Sequence, residues 1–234
     1  MSSKPPARNS FEKAQVAIVV LGMHRSGTSA LTRALNLLGC YLPDDLIGAH
    51  ETNRSGHWET KAIVALNDRA LDSQSSHWSD WAAVSLNWYR SPLYPDFVSQ
   101  GRAVVQSEFG ENRLFVIKDP RLCRLTPFWL DILELEGVHP VFVLPFRNPI
   151  EVAESLARRD GIDYTSALLM WLRHSLDAEH ATRGQTRAIT TYEQLLQSPE
   201  ALMFRLQEEL GVIWPKSGPA VMGELRRFVA HGTV

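Results

Sequence analysis

The sequence predicts an α/β protein in which a mainly parallel sheet of about four to five strands carries helices on both faces. Two observations lead to this prediction. Short apolar runs rich in β-branched residues alternate along the chain with longer segments whose apolar residues recur every three or four positions. In addition, the first apolar run ends in a polar loop bounded by glycines, and that loop leads directly into a helical pattern.

The first strand and helix enclose a loop that is suited to binding an anion. The strand covers 16–21, the loop runs from Gly22 to Gly27, and the helix extends from Thr28 to Gly39. Such a loop directs backbone N–H groups and the positive end of the helix dipole at one point in front of the strand. The sequence therefore favours a P-loop-type phosphate site over a strand-to-helix turn without a ligand.

The loop has the G-x-x-x-x-G spacing of nucleotide-binding P-loops but lacks their lysine, because Thr28 follows Gly27 directly. In P-loop enzymes this lysine reaches the β- and γ-phosphates of a triphosphate, and the hydroxyl after it binds Mg²⁺. The cation lies instead within the loop, at Arg25, where a guanidinium can hold a diphosphate-like anion. A ligand without a γ-phosphate is therefore favoured.

The next part of the chain is predicted to contain a long loop, two helices and an aromatic segment. A polar loop covers 40–57, and a helix covers 58–71, so that Glu59 lies where loop becomes helix. The segment 77–92 is rich in tryptophan and tyrosine and can form either an acceptor pocket or a packed flap over the core. An amphipathic helix over 95–109 follows.

Two further buried strands are expected at 114–117 and 141–144, with a helix over 126–136 between them. The first of these strands leads directly into Lys118 and Asp119. Charged residues at the carboxyl end of a parallel strand face the ligand crevice. We therefore expect both side chains near the phosphate loop.

Arg147 follows the third strand and stands immediately before a helix-start signal. Asn148 is a favourable N-cap, Pro149 occupies the first helical position, and Glu151 lies three residues after the cap. Ser155 is predicted two turns into this helix, facing the same crevice as Arg147.

The remaining elements continue the alternation. They are predicted as a helix over 164–183, a strand over 187–192, a helix over 199–210 and one weak helical stretch beyond Pro215. Because no linker or repeat interrupts the pattern, a single domain is expected over 14–234, preceded by a flexible tail over 1–13.

The composition indicates an ordinary soluble globular chain. Its 234 residues are 44% hydrophobic and 21% charged, and a net charge of −2 argues against a nucleic-acid partner or an anionic membrane surface. Cys40 and Cys123 lack metal-ligand spacing and fit a reducing compartment, so a cytoplasmic location is expected, with no metal site. Nothing approaches the roughly 20 apolar residues of a membrane span.

Two segments together resemble the cofactor motifs of the sulfotransferases that use 3′-phosphoadenosine 5′-phosphosulfate (PAPS). They are the Gly-Met-His-Arg-Ser-Gly-Thr-Ser loop over 22–29 and the segment over 146–155, in which Ser155 follows Arg147 by eight residues. In that family the loop holds the 5′-phosphosulfate, and an arginine and a serine at this spacing hold the 3′-phosphate. The resemblance extends over most of the chain, from Val16 to about Leu210.

Three shorter segments add to the resemblance. Those over 118–121 and 191–196 are similar to family segments, and the Gly-His-Trp-Glu sequence over 56–59 resembles a bacterial branch. The resemblance implies in-line transfer of a sulfuryl group from PAPS to an acceptor hydroxyl, with release of 3′-phosphoadenosine 5′-phosphate (PAP) and without a metal.

The resemblance also implies roles for individual residues. The implied cofactor-binding residues are His24, Arg25, Ser26, Gly27, Thr28, Ser29, Arg147, Ser155 and Tyr192. A tyrosine at a strand end, as Tyr192 is predicted to be, is more often a core residue than an adenine contact. Arg25 and Lys118 would supply cations to the reacting group. Glu59 is the favoured general base. The other candidates for the base are Asp119, His57, His50 and Glu51.

Structural roles for the carboxylates stay open at this point. Glu59 can simply occupy a first helical turn, and Asp119 can pair with Arg121 or Arg124. A P-loop kinase that uses ATP·Mg²⁺ and a non-catalytic nucleotide-binding protein are the alternative functions.

The chain departs from the cytosolic sulfotransferases of small phenols and steroids in two respects. Those enzymes have a lysine in place of Arg25, and a basic-glycine motif near their C-terminus that the segment 226–232 does not match. Part of the 3′-phosphate site is thus unassigned. The acceptor hydroxyl can belong to a sugar, a lipid, a peptide or a small metabolite, and the oligomeric state is open.

Overall fold

The structure is a computed structural model that describes residues 14–48 and 56–232. The predicted tail and two of the candidate bases, His50 and Glu51, lie outside the described residues. Within the described part, four parallel strands form one sheet in the order β2-β1-β3-β4. The strands are β1 (Gln15–Val20), β2 (Leu114–Lys118), β3 (Val138–Phe146) and β4 (Arg187–Thr191).

Nine α-helices surround the sheet in the described part of the chain. They are α1 (Thr28–Leu37), α2 (Lys61–Asp72), α3 (Tyr94–Phe109), α4 (Leu122–Leu135), α5 (Pro149–Asp160), α6 (Tyr164–Ala181), α7 (Tyr192–Gln197), α8 (Pro199–Leu210) and α9 (Pro219–Gly232). A short 3₁₀ helix, Trp88–Arg90, lies within the aromatic segment. None of the helices described is both long and apolar enough to cross a membrane.

The alternation of side chains along β1 shows that helices cover both faces of the sheet. Val16, Ile18 and Val20 are buried with residues of α1, α8 and α9. Ala17 and Val19 are buried on the opposite face with residues of α2, α3 and α4. Since both faces of this strand are covered, nearly all of it is apolar. The predicted α/β class with a parallel sheet and helices on both faces is confirmed.

The strand order places a ligand crevice in front of β1. From β1 the chain first forms β2 on one side and then crosses to β3 on the other side. In open parallel sheets, ligands bind at the carboxyl ends of the strands where the direction of winding reverses. The polar loop after β1, Lys118 at the end of β2 and Arg147 after β3 all lie at this edge.

The helix predicted over 58–71 begins three residues later than expected, at Lys61. Pairing with the segment before it holds Glu59 and Thr60 outside the helix, because Ile47 N donates to Glu59 O at 2.7 Å and Leu46 forms a bridge with Thr60. Glu59 therefore lies just before the helix, in a paired segment rather than in its first turn.

Two central boundaries also differ from the prediction. The helix predicted over 126–136 is α4, which begins about one turn earlier, at Leu122. This first turn is joined to the rest of the helix through Leu125, whose backbone is not helical. The strand predicted over 141–144 starts at Val138, because its first residues pair with the start of β1.

The strand predicted over 187–192 ends at Thr191, and Tyr192 instead begins α7, a short helix that was not predicted. A capping box sets this boundary. Thr191 Oγ1 accepts a hydrogen bond from Gln194 N at 3.2 Å, and Gln194 Oε1 accepts one from Thr191 N at 3.2 Å. Tyr192 is thus a helix-start residue, which turns it towards the carboxyl edge of the sheet.

Candidate active site

The loop after β1 has the backbone conformation of an anion-binding turn. Arg25 and Gly27 both adopt the left-handed region, with φ values of 69° and 83°. Gly27 is the N-cap of α1 and provides no side chain to cap it, and no acidic residue occupies the first turn of this helix. The N–H groups of a first helical turn have no intrahelical acceptor, so they are available to a bound anion.

Ser26 adds a hydroxyl to this turn. Its side chain is buried, and among the described residues its Oγ has no hydrogen-bond partner. Since buried polar groups are normally satisfied, such an atom inside an anion-binding loop indicates a place for a ligand oxygen.

Arg25 connects the loop to α5. Its Nε donates a hydrogen bond to Ser155 Oγ at 2.8 Å, and its carbonyl oxygen accepts one from Arg147 Nη1 at 3.2 Å. Ser155 is only 8% exposed. The two segments that the sequence predicts to hold two separate phosphates are therefore in direct contact, although more than a hundred residues separate them.

Two contacts orient the guanidinium of Arg147. Its Nε donates to Glu151 Oε2 at 2.8 Å, and its Cζ lies 4.8 Å from the centroid of the Tyr192 ring. Asn148 caps α5 as predicted, accepting a hydrogen bond from Ile150 N at 3.0 Å. The cap fixes the start of the helix on which the Glu151 carboxylate lies.

Lys118 lies at the centre of a second, buried cluster. Its Nζ contacts Ser29 Oγ at 3.2 Å and the His57 carbonyl oxygen at 3.0 Å, and it forms an ion pair with Glu59 Oε1. Lys118 and Glu59 are each only 3% exposed. The loop, the end of β2 and the segment before α2 thus bring four predicted residues together.

The environment of Glu59 favours proton uptake. Burial raises the pKa of its carboxyl, and the negative charge of Asp119 raises it further, whereas the Lys118 ammonium opposes both effects. A carboxylate with a raised pKa is a stronger proton acceptor than an exposed one.

Asp119 is fully buried, and both of its oxygens accept hydrogen bonds. Asn67 Nδ2 donates to Oδ2 at 2.8 Å, and Arg121 donates to Oδ1 through its backbone N at 3.1 Å and Nη1 at 2.9 Å. Asn67 Oδ1 in turn accepts from Trp129 Nε1 at 2.8 Å. The pairing with Arg121 that the sequence offered as an alternative is therefore present. Sequence reasoning missed Asn67, whose signal is a polar residue within the apolar stripe of α2.

The aromatic segment contacts the loop through Trp78. The rings of Trp78 and His24 meet edge to face with centroids 4.8 Å apart. Burial and nearby cations lower the pKa of His24 well below its usual value, and its Nε2 has no partner among the residues described. His24 therefore lies within the loop as a neutral imidazole.

Part of the rest of the aromatic segment packs against the core. Trp88 is buried in a cluster of aromatic rings, as a packed flap requires; its neighbours are Tyr89, Tyr94, Phe97 and Phe128. Trp81 is 50% exposed. Arg124 fixes the segment to α4, donating to the carbonyl oxygens of His77 at 2.8 Å and Ala82 at 2.7 Å.

The two cysteines are not suited to nucleophilic thiol chemistry. Both cysteines are free and buried, and burial raises the pKa of the Cys40 thiol to about 12, which keeps it protonated. Among residues 14–48 and 56–232, no group of three His, Cys, Asp or Glu side chains is placed to hold a metal ion.

Comparison with solved structures identifies the fold. The chain is similar to the sulfotransferase domain of the Synechococcus PCC 7002 olefin synthase, with 19% identity over 95% of this chain and 84% of that domain, at a TM-score of 0.50. It is also similar to the sulfotransferase domain of the curacin biosynthetic pathway (16% identity, 94% and 83% covered, TM-score 0.48) and to the sulfotransferase STF1 of Mycobacterium tuberculosis H37Rv (15%, 93% and 71%, TM-score 0.46).

The first of these similarities shows that the chain has the P-loop-like α/β fold of a sulfotransferase domain. The resemblance seen in the sequence motifs is thereby confirmed at the level of the fold. No protein-family model matches the sequence, and neither does any curated protein.

Proposed function

We propose that this protein is a sulfotransferase that moves a sulfuryl group from PAPS to an acceptor hydroxyl. The observation that supports this proposal most directly is the contact of Arg25 with both Ser155 and Arg147. This contact supports a second anion-binding group beside the proposed phosphate loop. PAPS carries phosphate at both the 5′ and 3′ positions of its ribose, whereas ATP has a single phosphate chain.

The residues present fit this donor. The left-handed turn and the unpartnered Ser26 Oγ suit the 5′-phosphate, with N–H groups from Gly27 to Ser29 pointing at it. Arg147 and Ser155 suit the 3′-phosphate as a guanidinium fork and a hydroxyl. When bound, PAPS supplies the sulfuryl group and a phosphate leaving group.

Arg25 and Lys118 would stabilise the negative charge that develops on the departing oxygen during transfer. Ser29 and the His57 carbonyl hold the Lys118 ammonium at the end of the loop, so it needs little reorganisation. Preorganised cations of this kind in a dry site are a major source of rate enhancement.

Glu59 would accept the proton of the acceptor hydroxyl at its carboxylate. Two features support Glu59 over Asp119. The pKa of Glu59 is raised by burial, and its Oε1 faces a cation that lies in the same cluster as the loop. Asp119 already accepts hydrogen bonds at both oxygens, from Asn67 and Arg121, which suits it to holding the end of β2 in place.

Tyr192 would position other residues rather than stack on the adenine. Its ring contacts Gly27 and also lies beneath the guanidinium of Arg147. A ring that is engaged in this way supports both phosphate sites at once.

A comparison of the binding of PAP with that of ATP·Mg²⁺ distinguishes the proposed sulfotransferase from a P-loop kinase. PAP without metal is expected to raise the melting temperature, since a ligand at about 100 times its Kd stabilises the folded state by about 2.7 kcal/mol. ATP·Mg²⁺ should have a much smaller effect. The opposite ranking would contradict the sulfotransferase assignment.

Transfer itself is tested with sulfur-labelled PAPS and a pool of sugars, lipids, peptides and small metabolites. We expect acceptor-dependent release of PAP and one labelled product class, which also identifies the acceptor. A non-catalytic nucleotide-binding protein would instead bind PAP and give no acceptor-dependent release.

A further inference from the structure

We propose that Arg159 of α5 supplies a further cation to the 3′-phosphate site, beside Arg147 and Ser155. This inference rests on the proposed function. It assigns a binding residue that neither the loop nor the arginine–serine pair contains.

Helix geometry places Arg159 beside Ser155. The two residues are four apart on α5, so they share one face of the helix. Side chains on a helix tilt towards its N-terminus, so the long side chain of Arg159 leans back over the turn that carries Ser155. An anion held by the Ser155 hydroxyl would therefore be within reach of the guanidinium.

The side chain of Arg159 is much less exposed to solvent than that of its neighbour Arg158. The side chain of Arg159 is only 13% exposed and pairs with Asp160, the adjacent residue, at 2.7 Å. The side chain of Arg158 is 72% exposed and lies 3.8 Å from Glu154. A surface arginine such as Arg158 needs no ligand, whereas a largely buried one is held at a defined place.

Arg25 and Arg147 belong to the same site as Ser155. Arg25 donates to Ser155 Oγ, and Arg147 donates to the Arg25 carbonyl. Burial lowers the pKa of Arg25, and the positive charges of Arg159 and Arg147 lower it further, whereas the charges of Asp160 and Tyr192 raise it. A phosphate, with up to two negative charges, would be attracted by the same positive charges.

Two nearby carboxylates orient the guanidinium groups of Arg147 and Arg159. Glu151 accepts from Arg147, and Asp160 accepts from Arg159. Each of these carboxylates holds one side of its partner's guanidinium, which leaves further N–H groups of the fork for an anion.

The test compares PAP with adenosine 5′-monophosphate, because these two ligands differ only in the 3′-phosphate. Calorimetric titration of the full chain gives both affinities for the wild type, Arg159→Ala and the matched control Arg158→Ala. We expect Arg159→Ala to weaken PAP binding by about 10- to 100-fold, the value of a charge-assisted hydrogen bond, and to leave monophosphate binding unchanged. Arg158→Ala should leave both affinities unchanged.

Each other outcome has a defined meaning. If the wild type prefers PAP and Arg159→Ala retains that preference in full, the assignment of Arg159 is wrong and the proposed function stands. If the wild type binds the two ligands equally, the proposed donor and the assignment both fail. Arg159→Gln keeps a donor for Asp160 and replaces the alanine variant in the same comparison if that variant does not fold, with the same expected loss of preference.

Discussion

The ring of Tyr192 lies so close to Gly27 that a Cβ atom on Gly27 would be 2.3 Å from Tyr192 Cδ2. The guanidinium of Arg147 lies over the same ring, with Arg147 Cζ 4.8 Å from the ring centroid. One side chain therefore contacts both the end of the loop after β1 and the arginine of the proposed second anion site. This contact makes the glycine a requirement of packing as well as of backbone conformation.

Gly27→Ala is expected to destabilise the loop and abolish PAP binding. The new Cβ meets the Tyr192 ring, and φ at this position is 83°, a conformation that costs about 1–3 kcal/mol for other residues. Thermal unfolding and PAP titration measure the two effects. Gly48→Ala is the control, because nothing lies within 4 Å of a Cβ added there. Undiminished PAP binding by Gly27→Ala would show that the ligand does not depend on this turn.

Arg147→Ala is expected to weaken PAP binding by about 2–4 kcal/mol, because the 3′-phosphate would lose its charged partner. Binding of adenosine 5′-monophosphate should change little. Arg102→Ala provides a control, since Arg102 pairs with Glu136 on the surface at 2.6 Å. Equal losses for the two ligands would place Arg147 at a different part of the donor.

Glu59→Gln is expected to lower kcat by roughly 10²- to 10⁴-fold while PAP affinity survives, because the amide cannot accept the acceptor's proton. Initial rates with the acceptor found in the labelling experiment, together with PAP titration, separate the two quantities. Gln retains a hydrogen-bond acceptor for Lys118, which limits the loss of stability. Full turnover by Glu59→Gln would mean that Glu59 is not the general base and that His57 or Asp119 has this role.

Asp119→Asn is expected to lower the free energy of unfolding by about 1–3 kcal/mol, because one of two buried oxygens that accept hydrogen bonds becomes an NH₂ group. Arg121 keeps its ion pair with Asp68 at 2.5 Å, which limits the loss. Urea unfolding measures this change. The exposed pair of Asp45 and Lys61 provides the control, since Asp45→Asn should change stability by less than about 1 kcal/mol. Unchanged stability of Asp119→Asn would argue against the structural role of this carboxylate.

Stability is expected to fall as the pH is lowered from 6.5 to about 4. Burial lowers the pKa of His174 to about 4, so between these values the unfolded chain binds a proton that the folded chain does not. The loss amounts to about 3 kcal/mol for this residue. His24, whose pKa is also lowered by burial, adds to the same slope.

Urea midpoints measured across this pH range check the assignment to His174. His174→Gln should flatten the dependence, because it retains a donor for the Met170 carbonyl and carries no titrating group. His180→Gln, at an exposed position, should leave the dependence as in the wild type. An unchanged slope in His174→Gln would mean that other groups cause the loss.

Local signals were sufficient for the elements that carry the site. The glycine spacing after β1 predicted a strand, a turn and a helix, and the Asn148-Pro149 pair predicted the start of α5. These features depend on conformational preferences of a few adjacent residues, so they can be predicted without knowledge of distant contacts. Boundaries failed where pairing across the fold decided them, as in the extended residues before α2 and the first residues of β3.

By itself the sequence determined that a glycine-bounded polar loop follows β1, and that Arg147, just before a later helix, stands eight residues ahead of Ser155 on that helix. It could not determine which side chains meet, because contacts between distant segments depend on the order of strands in the sheet. Only the tertiary structure brings Arg25 into contact with Ser155 and pairs Glu59 with Lys118. It also supplies the hydrogen bonds that Asp119 accepts from Asn67 and Arg121. The burial that raises the pKa of Glu59 likewise arises only when these segments pack together.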